Sequence, residues 1–167
     1  MYSIKYPLAL FLIGVCLVAC AQENYGIKRM VAFRSLRMPG NIPVDENGNS
    51  LFKGPDTINT IYVETTRKGI QWDTAWRNGR AYTVAAELLS TASFDAGTDK
   101  RTGKKIVLTA ANGNQQWLLQ LEPLENNQKV PVTSLKSGEI LLKGKYGKST
   151  IMQTIKQQTE LDVLPAY

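Results

Sequence analysis

Ile70-Gln71-Trp72-Asp73-Thr74-Ala75-Trp76-Arg77, the pair Asn78-Gly79, and Arg80-Ala81-Tyr82-Thr83-Val84-Ala85-Ala86-Glu87-Leu88 form the stretch that decides the fold. Before the pair, Ile70, Trp72, Thr74 and Trp76 fall on one face. Gln71, Asp73 and Arg77 fall on the other, with Ala75 between them. After the pair, Tyr82, Val84, Ala86 and Leu88 continue the apolar face, while Thr83 and Glu87 point away. A two-residue type I′ turn needs positive φ at both positions, and Asn-Gly tolerates that best. Period-two alternation on both sides predicts a β-hairpin. Ala81, Val84, Ala85 and Leu88 also fit helical spacing, so a short helix over 81–90 stays open.

Working outward, Asn-Gly recurs at Asn47-Gly48 and Asn112-Gly113. Around the latter, Ile106, Leu108 and Ala110 alternate with Val107 and Thr109. Gln115, Trp117, Leu119 and Leu121 then alternate with Gln116, Leu118, Gln120 and Glu122. This predicts a second hairpin, ended by Pro123, which has no N–H for a ladder. Further strands are expected at 29–38, 58–65, 139–146, 149–155 and 160–164, with 150–160 open between strand and helix. Eight or nine short strands with regular turn signals predict an all-β domain. The expected architecture is a β-sandwich, immunoglobulin-like or transthyretin-like, of about eight antiparallel strands.

The chain has 167 residues, but the N-terminus reads as an export signal. Lys5 is the only charge before an apolar run from Leu8 to Ala19, too short to span a bilayer, which takes about 20 residues. Residues 1–21 are assigned to this signal and 22–167 to a single domain. Leu17-Val18-Ala19-Cys20 resembles the lipobox of bacterial lipoproteins, which implies that Cys20 is lipidated and begins the mature chain. The competing site, Ala19-Cys20-Ala21, is cut after Ala21. Attachment through lipid alone is expected, with no transmembrane helix in the mature chain. The expected location is the outer membrane, or the periplasm or exterior if the chain is not lipidated.

Composition excludes more chemistry than the motifs supply. There is no histidine, and the only cysteines are Cys16 and Cys20. Serine and cysteine nucleophiles lose their usual base, metals lose imidazole, and no intrachain disulfide forms in the mature domain. Without Lys5 the net charge is +5. Lys100, Arg101, Lys104 and Lys105 surround Thr102-Gly103 and read as a solvated hairpin tip.

Four constellations remain. Gly144-Lys145-Tyr146-Gly147-Lys148-Ser149-Thr150 resembles the end of a P-loop. Leu142 stands where its first glycine belongs, so the segment reads as a turn between strands. Asp45, Asn47, Asn49 and Asp56 have a weak calcium-loop spacing, with Ser50 at the glycine position. Asp73, Glu64, Glu87 and Glu139 are the carboxylates in or beside predicted strands that a hydrolase would need to pair. Trp72, Trp76 and Trp117 are candidate ligand-binding aromatics that read first as core.

The resulting expectation is a non-catalytic binding or structural role in an envelope protein assembly. It involves no cofactor, metal or nucleic acid, and has an envelope protein partner. The alternatives are a carbohydrate-binding module with a glycan ligand, and a small carboxylate-dependent hydrolase.

Overall fold

In the computed structural model, residues 25–38, 41, 44–51, 54–125, 131 and 135–163 are described. The export signal, Cys20 and both cleavage sites lie outside them. The fold is all-β. Ten strands follow in order: β1 (Ile27–Arg37), β2 (Asp56–Thr65), β3 (Ile70–Arg77), β4 (Arg80–Leu89), β5 (Ser93–Thr98), β6 (Lys105–Thr109), β7 (Gln115–Pro123), β8 (Ile140–Tyr146), β9 (Ser149–Ile155) and β10 (Gln158–Glu160). Residues 81–90 and 150–160 therefore resolve as strands wherever they are regular. No helix among the described residues is long and apolar enough to cross a membrane.

Eight strands form one sheet in the order β10-β1-β2-β7-β4-β3-β8-β9, and β5 pairs with β6 in a second, small sheet. The pairs are antiparallel except β1–β10, which is parallel. The two edge strands, β9 and β10, are joined only by Lys156 and Gln157. Three Cα steps of 3.8 Å reach about 11 Å. Across a flat eight-stranded sheet the edges lie about 34 Å apart. The sheet must therefore curl until its edges meet. The curled eight-stranded sheet with the small second sheet is consistent with the β-sandwich expected from sequence and with a barrel-like fold, and its one parallel pair, β1–β10, makes the sheet mixed.

Because alternate residues point to opposite faces, the curl separates an inside from an outside. Ala32, Ile61, Val63, Ala75, Tyr82, Leu119, Leu121, Ile140, Leu142 and Ile151 pack together inside. Phe33, Tyr62, Leu108 and Leu161 form an outer cluster, in which the β5–β6 hairpin covers β1 and β2. Trp76, Ala81 and Leu141 form a third, also outside.

The Asn78-Gly79 hairpin is as the sequence predicts. Arg77 pairs with Arg80, and Asn78 and Gly79 have φ of 49° and 75°. Its face assignment fails, however. A β-bulge between Trp72 and Thr74 adds one residue to β3 and switches the alternation. Ala75 and Arg77 consequently point inward, while Trp76 points outward.

The second predicted hairpin does not form. β6 pairs with β5, and β7 lies between β2 and β4. Asn112 keeps a negative φ and only Gly113 is positive, so the turn is not type I′. The Glu64 carboxylate accepts from the Ala111 N–H at 2.9 Å and the Asn114 amide at 2.6 Å. These bonds hold the chain as it steps from one sheet to the other.

Candidate functional site

At one end of the curl the inward positions change character. On β1 the series Met30, Ala32 continues to Arg34. On β2, Val63 and Ile61 give way to Asn59. On β3, Ala75 is followed by Arg77. All three polar residues occupy the parity of core residues. They meet at an open cleft of about 860 Å³, lined by Arg34, Arg77, Asp99, Lys100, Arg101, Lys156 and Glu160, among others.

Asn59 is buried and joins two of the lining residues, Arg77 and Gln158. Its side-chain oxygen accepts from Arg77 Nη1 at 2.9 Å and from Gln158 Nε2 at 3.1 Å. Since β2 and β3 are not neighbours in the sheet, the Arg77–Asn59 bond crosses the interior. Gln158 Nε2 also donates to the Phe33 carbonyl at 2.9 Å. The Nε atoms of Arg34 and Arg77 are buried and have no hydrogen-bond partner among the described residues.

The rim comes from the 99–104 turn and β10. Asp99 Oδ1 accepts from the N–H groups of Arg101 (2.7 Å) and Thr102 (2.9 Å), which folds the turn over its own carboxylate. The Lys100 N–H donates to the Glu160 carbonyl, and its ammonium pairs with Glu160 Oε1 at 2.8 Å. Leu161 N–H donates to the Arg34 carbonyl, and Asp162 N–H to that of Thr98. β10 is thus clamped between β1 and the hairpin. On the opposite side, Asn78 Oδ1 accepts from the Gly138 N–H at 3.0 Å.

Five basic and two acidic side chains line the cleft. The Thr102 N–H is the main reason the Asp99 carboxyl sits below its ordinary pKa, and the Lys100 hydrogen bond does the same for Glu160. Both stay ionised at neutral pH, leaving a surplus of three positive charges. This arrangement can hold an anion through charge-assisted hydrogen bonds.

The residues singled out in the sequence lie elsewhere. Trp72 and Trp76 are buried on opposite faces of β3, and Trp117 is half-buried on β7, packed against the inner core. They form no common platform. Asp45 accepts from Asn47 N–H, Asn49 N–H and the Asn49 amide, and Asp56 lies beside Arg37 at 3.8 Å. Among the described residues no group of three or more acidic, thiol or imidazole side chains gathers to hold a metal.

The four carboxylates each have a separate setting. Asp73 faces Lys143 at 3.6 Å, Glu139 accepts from the Lys136 N–H, and Glu87 is exposed on β4. Glu64 is buried beside Arg29. The Gly144–Thr150 segment is the tip of the β8–β9 hairpin, which turns at Gly147-Lys148 with Gly147 at φ 59°.

Sequence reasoning found Lys100 and Arg101 as a charged tip but missed Arg34, Asn59, Arg77 and Gln158. Arg34 left a signal, since it interrupts the Met30, Ala32 alternation. Arg77 left none, because the bulge reverses its face. Comparison with known protein families, with curated proteins and with solved structures finds no match to this chain.

Proposed function

We propose that this chain is an exported, lipid-anchored envelope domain with a non-catalytic binding role, and that the cleft at the end of the curl binds an anionic ligand. The observation that carries the ligand reading is that Arg34 and Arg77, at core-parity positions, line one cleft together with three further basic side chains against two acidic ones. Guanidinium groups so placed hold an oxyanion through charge-assisted hydrogen bonds. The address rests on the lipobox-like Leu17-Val18-Ala19-Cys20.

Thermal shift in acetate, sulfate and phosphate at constant ionic strength tests the ligand reading. At least one anion stabilises the wild type and fails to stabilise Arg34→Gln. Equal response of both proteins rejects the reading. For the address, Cys20→Ala abolishes fatty-acid labelling and moves the protein to the soluble fraction. Unchanged fractionation assigns cleavage after Ala21.

A second reading, docking to an envelope protein, draws on one observation. β3 and β4 pair only as far as Thr74 and Thr83, and beyond that point β4 keeps only β7 as partner among the described strands, with Leu88 exposed. Such an edge accepts an added strand. Mild crosslinking of intact envelopes tests it. A stoichiometric partner lost on Ala86→Pro supports it, and recovery of the monomer alone rejects it.

A further inference from the structure

Resting on the anion-binding reading above, we infer that the ligand group is the terminal dianionic phosphate of a phosphomonoester, held between Arg34 and Arg77. Four observations narrow the anion to this class.

The first is donor geometry. Arg77 commits Nη1 to Asn59, and Nη1 lies on the Cδ side of the guanidinium. Its Nε is buried, so the rest of the guanidinium is what Arg77 brings to the cleft it lines. Arg34 lines the same cleft from another strand, its Nε likewise buried. Two guanidinium groups on one cleft offer donors to more than one oxygen, which suits the three terminal oxygens of a phosphomonoester.

The second is charge. The surplus of three positive charges in the cleft exceeds what a carboxylate or phosphodiester, each carrying one negative charge, offsets. A phosphomonoester carries close to two at neutral pH. Lys100 is paired with Glu160, which Arg34 also acts on electrostatically, and Arg101 does the same to Asp99, while Arg77 and Lys156 complete the basic lining.

The third is size. About 860 Å³ is within the range of small-molecule sites and far exceeds a bare ion. The phosphate is therefore the anchored end of something larger. The fourth is that the residues around the arginines are fixed by Asn59, Gln158 and the β10 clamp, so the donors are in place before a ligand arrives.

The absence of histidine gives a clean test. No imidazole lines the cleft, and the hydrogen bonds to Asp99 and Glu160 lower the pKa values of its two carboxyl groups. A change of affinity between pH 5.0 and 7.5 then reports the ligand's own second ionisation, near pH 6. The experiment is isothermal titration of the full chain with methyl phosphate, dimethyl phosphate and acetate.

The expected result is that methyl phosphate binds about tenfold or more tightly than the two monoanions. Its apparent Kd rises about tenfold from pH 7.5 to 5.0. Arg34→Gln removes most of the affinity. Arg101→Gln and Lys156→Gln, both on the exposed rim, weaken it about threefold without disturbing the core. Equal, pH-independent binding of all three ligands overturns the phosphomonoester inference while leaving a general anion site standing. Binding of none of them overturns both.

Flotation with phosphatidylcholine vesicles carrying phosphatidic acid or phosphatidylglycerol separates the sources. Capture by phosphatidic acid alone, competed by methyl phosphate, identifies a lipid headgroup. Methyl phosphate binding with no vesicle capture identifies a soluble ligand. Equal capture by both lipids counts against the inference, since phosphatidylglycerol offers only a diester.

Discussion

Glu64 shows how much one side chain can hold together. It is buried on the outer face of β2, yet it accepts from Ala111 N–H and Asn114 and pairs with Arg29 at 3.2 Å. Burial pushes its pKa up, but those three partners outweigh it and the net shift is downward. A depressed carboxylate contributes stability that is present above its unfolded pKa, about 4.3, and lost as pH falls through the folded value. Glu64→Gln is expected to cost about 1–3 kcal/mol at neutral pH. Chemical denaturation from pH 7 to 3 should show the gap to wild type closing below about pH 4. A gap independent of pH would assign the loss to packing instead.

Gly144 is the residue-scale counterpart on the inner side. An added Cβ would meet the Gln71 carbonyl oxygen at 2.7 Å and the Trp72 ring at 2.8 Å. The backbone oxygen cannot retreat without breaking the β3–β8 ladder. Gly144→Ala is expected to destabilise by about 1–3 kcal/mol and to shift tryptophan emission as Trp72 moves. An unchanged denaturation midpoint would mean that the β3 bulge absorbs the methyl group.

At the scale of the element, two turns with the same dipeptide behave differently. Asn78-Gly79 is a two-residue hairpin turn because both φ angles are positive, and its Asn78 side chain also caps Gly138 at the rim of the cleft. Asn112-Gly113 has no such geometry, and a carboxylate from β2 steers it between sheets. Gly79→Val places a β-branched residue at φ 75°. The expected cost is about 1–2 kcal/mol, measured by urea denaturation, with β3–β4 amides exchanging faster. The Asn78 turn was legible in the sequence because its determinants are local. The pairing of β6 with β5 was not, because Glu64 is 47 residues from Ala111.

At the scale of the whole molecule, the short link Lys156-Gln157 carries the closure. β10 pairs in parallel with β1, bonds to the hairpin through Lys100 and Asp162, and places Gln158 beneath the arginines. Truncation after Ile155 should release both sheet edges. The expected outcome is loss of hydrogen-exchange protection in β1 and the 99–104 turn, together with loss of anion-induced stabilisation. Retained protection in β1 would show that β2 alone holds it.

The sequence by itself determined the all-β class, the tight turn at Asn78-Gly79, the charged tip at 99–104 and the lack of any histidine-based chemistry. These depend on composition, on local φ preferences and on period-two patterning, all contained within a few residues. Tertiary structure alone decided that the sheet curls, that β7 lies between β2 and β4, and that Trp76 faces outward while Arg77 faces inward. The reason is physical. A bulge changes a strand's parity without altering its composition, and closure joins residues such as Arg34, Asn59 and Arg77 whose proximity no local pattern records.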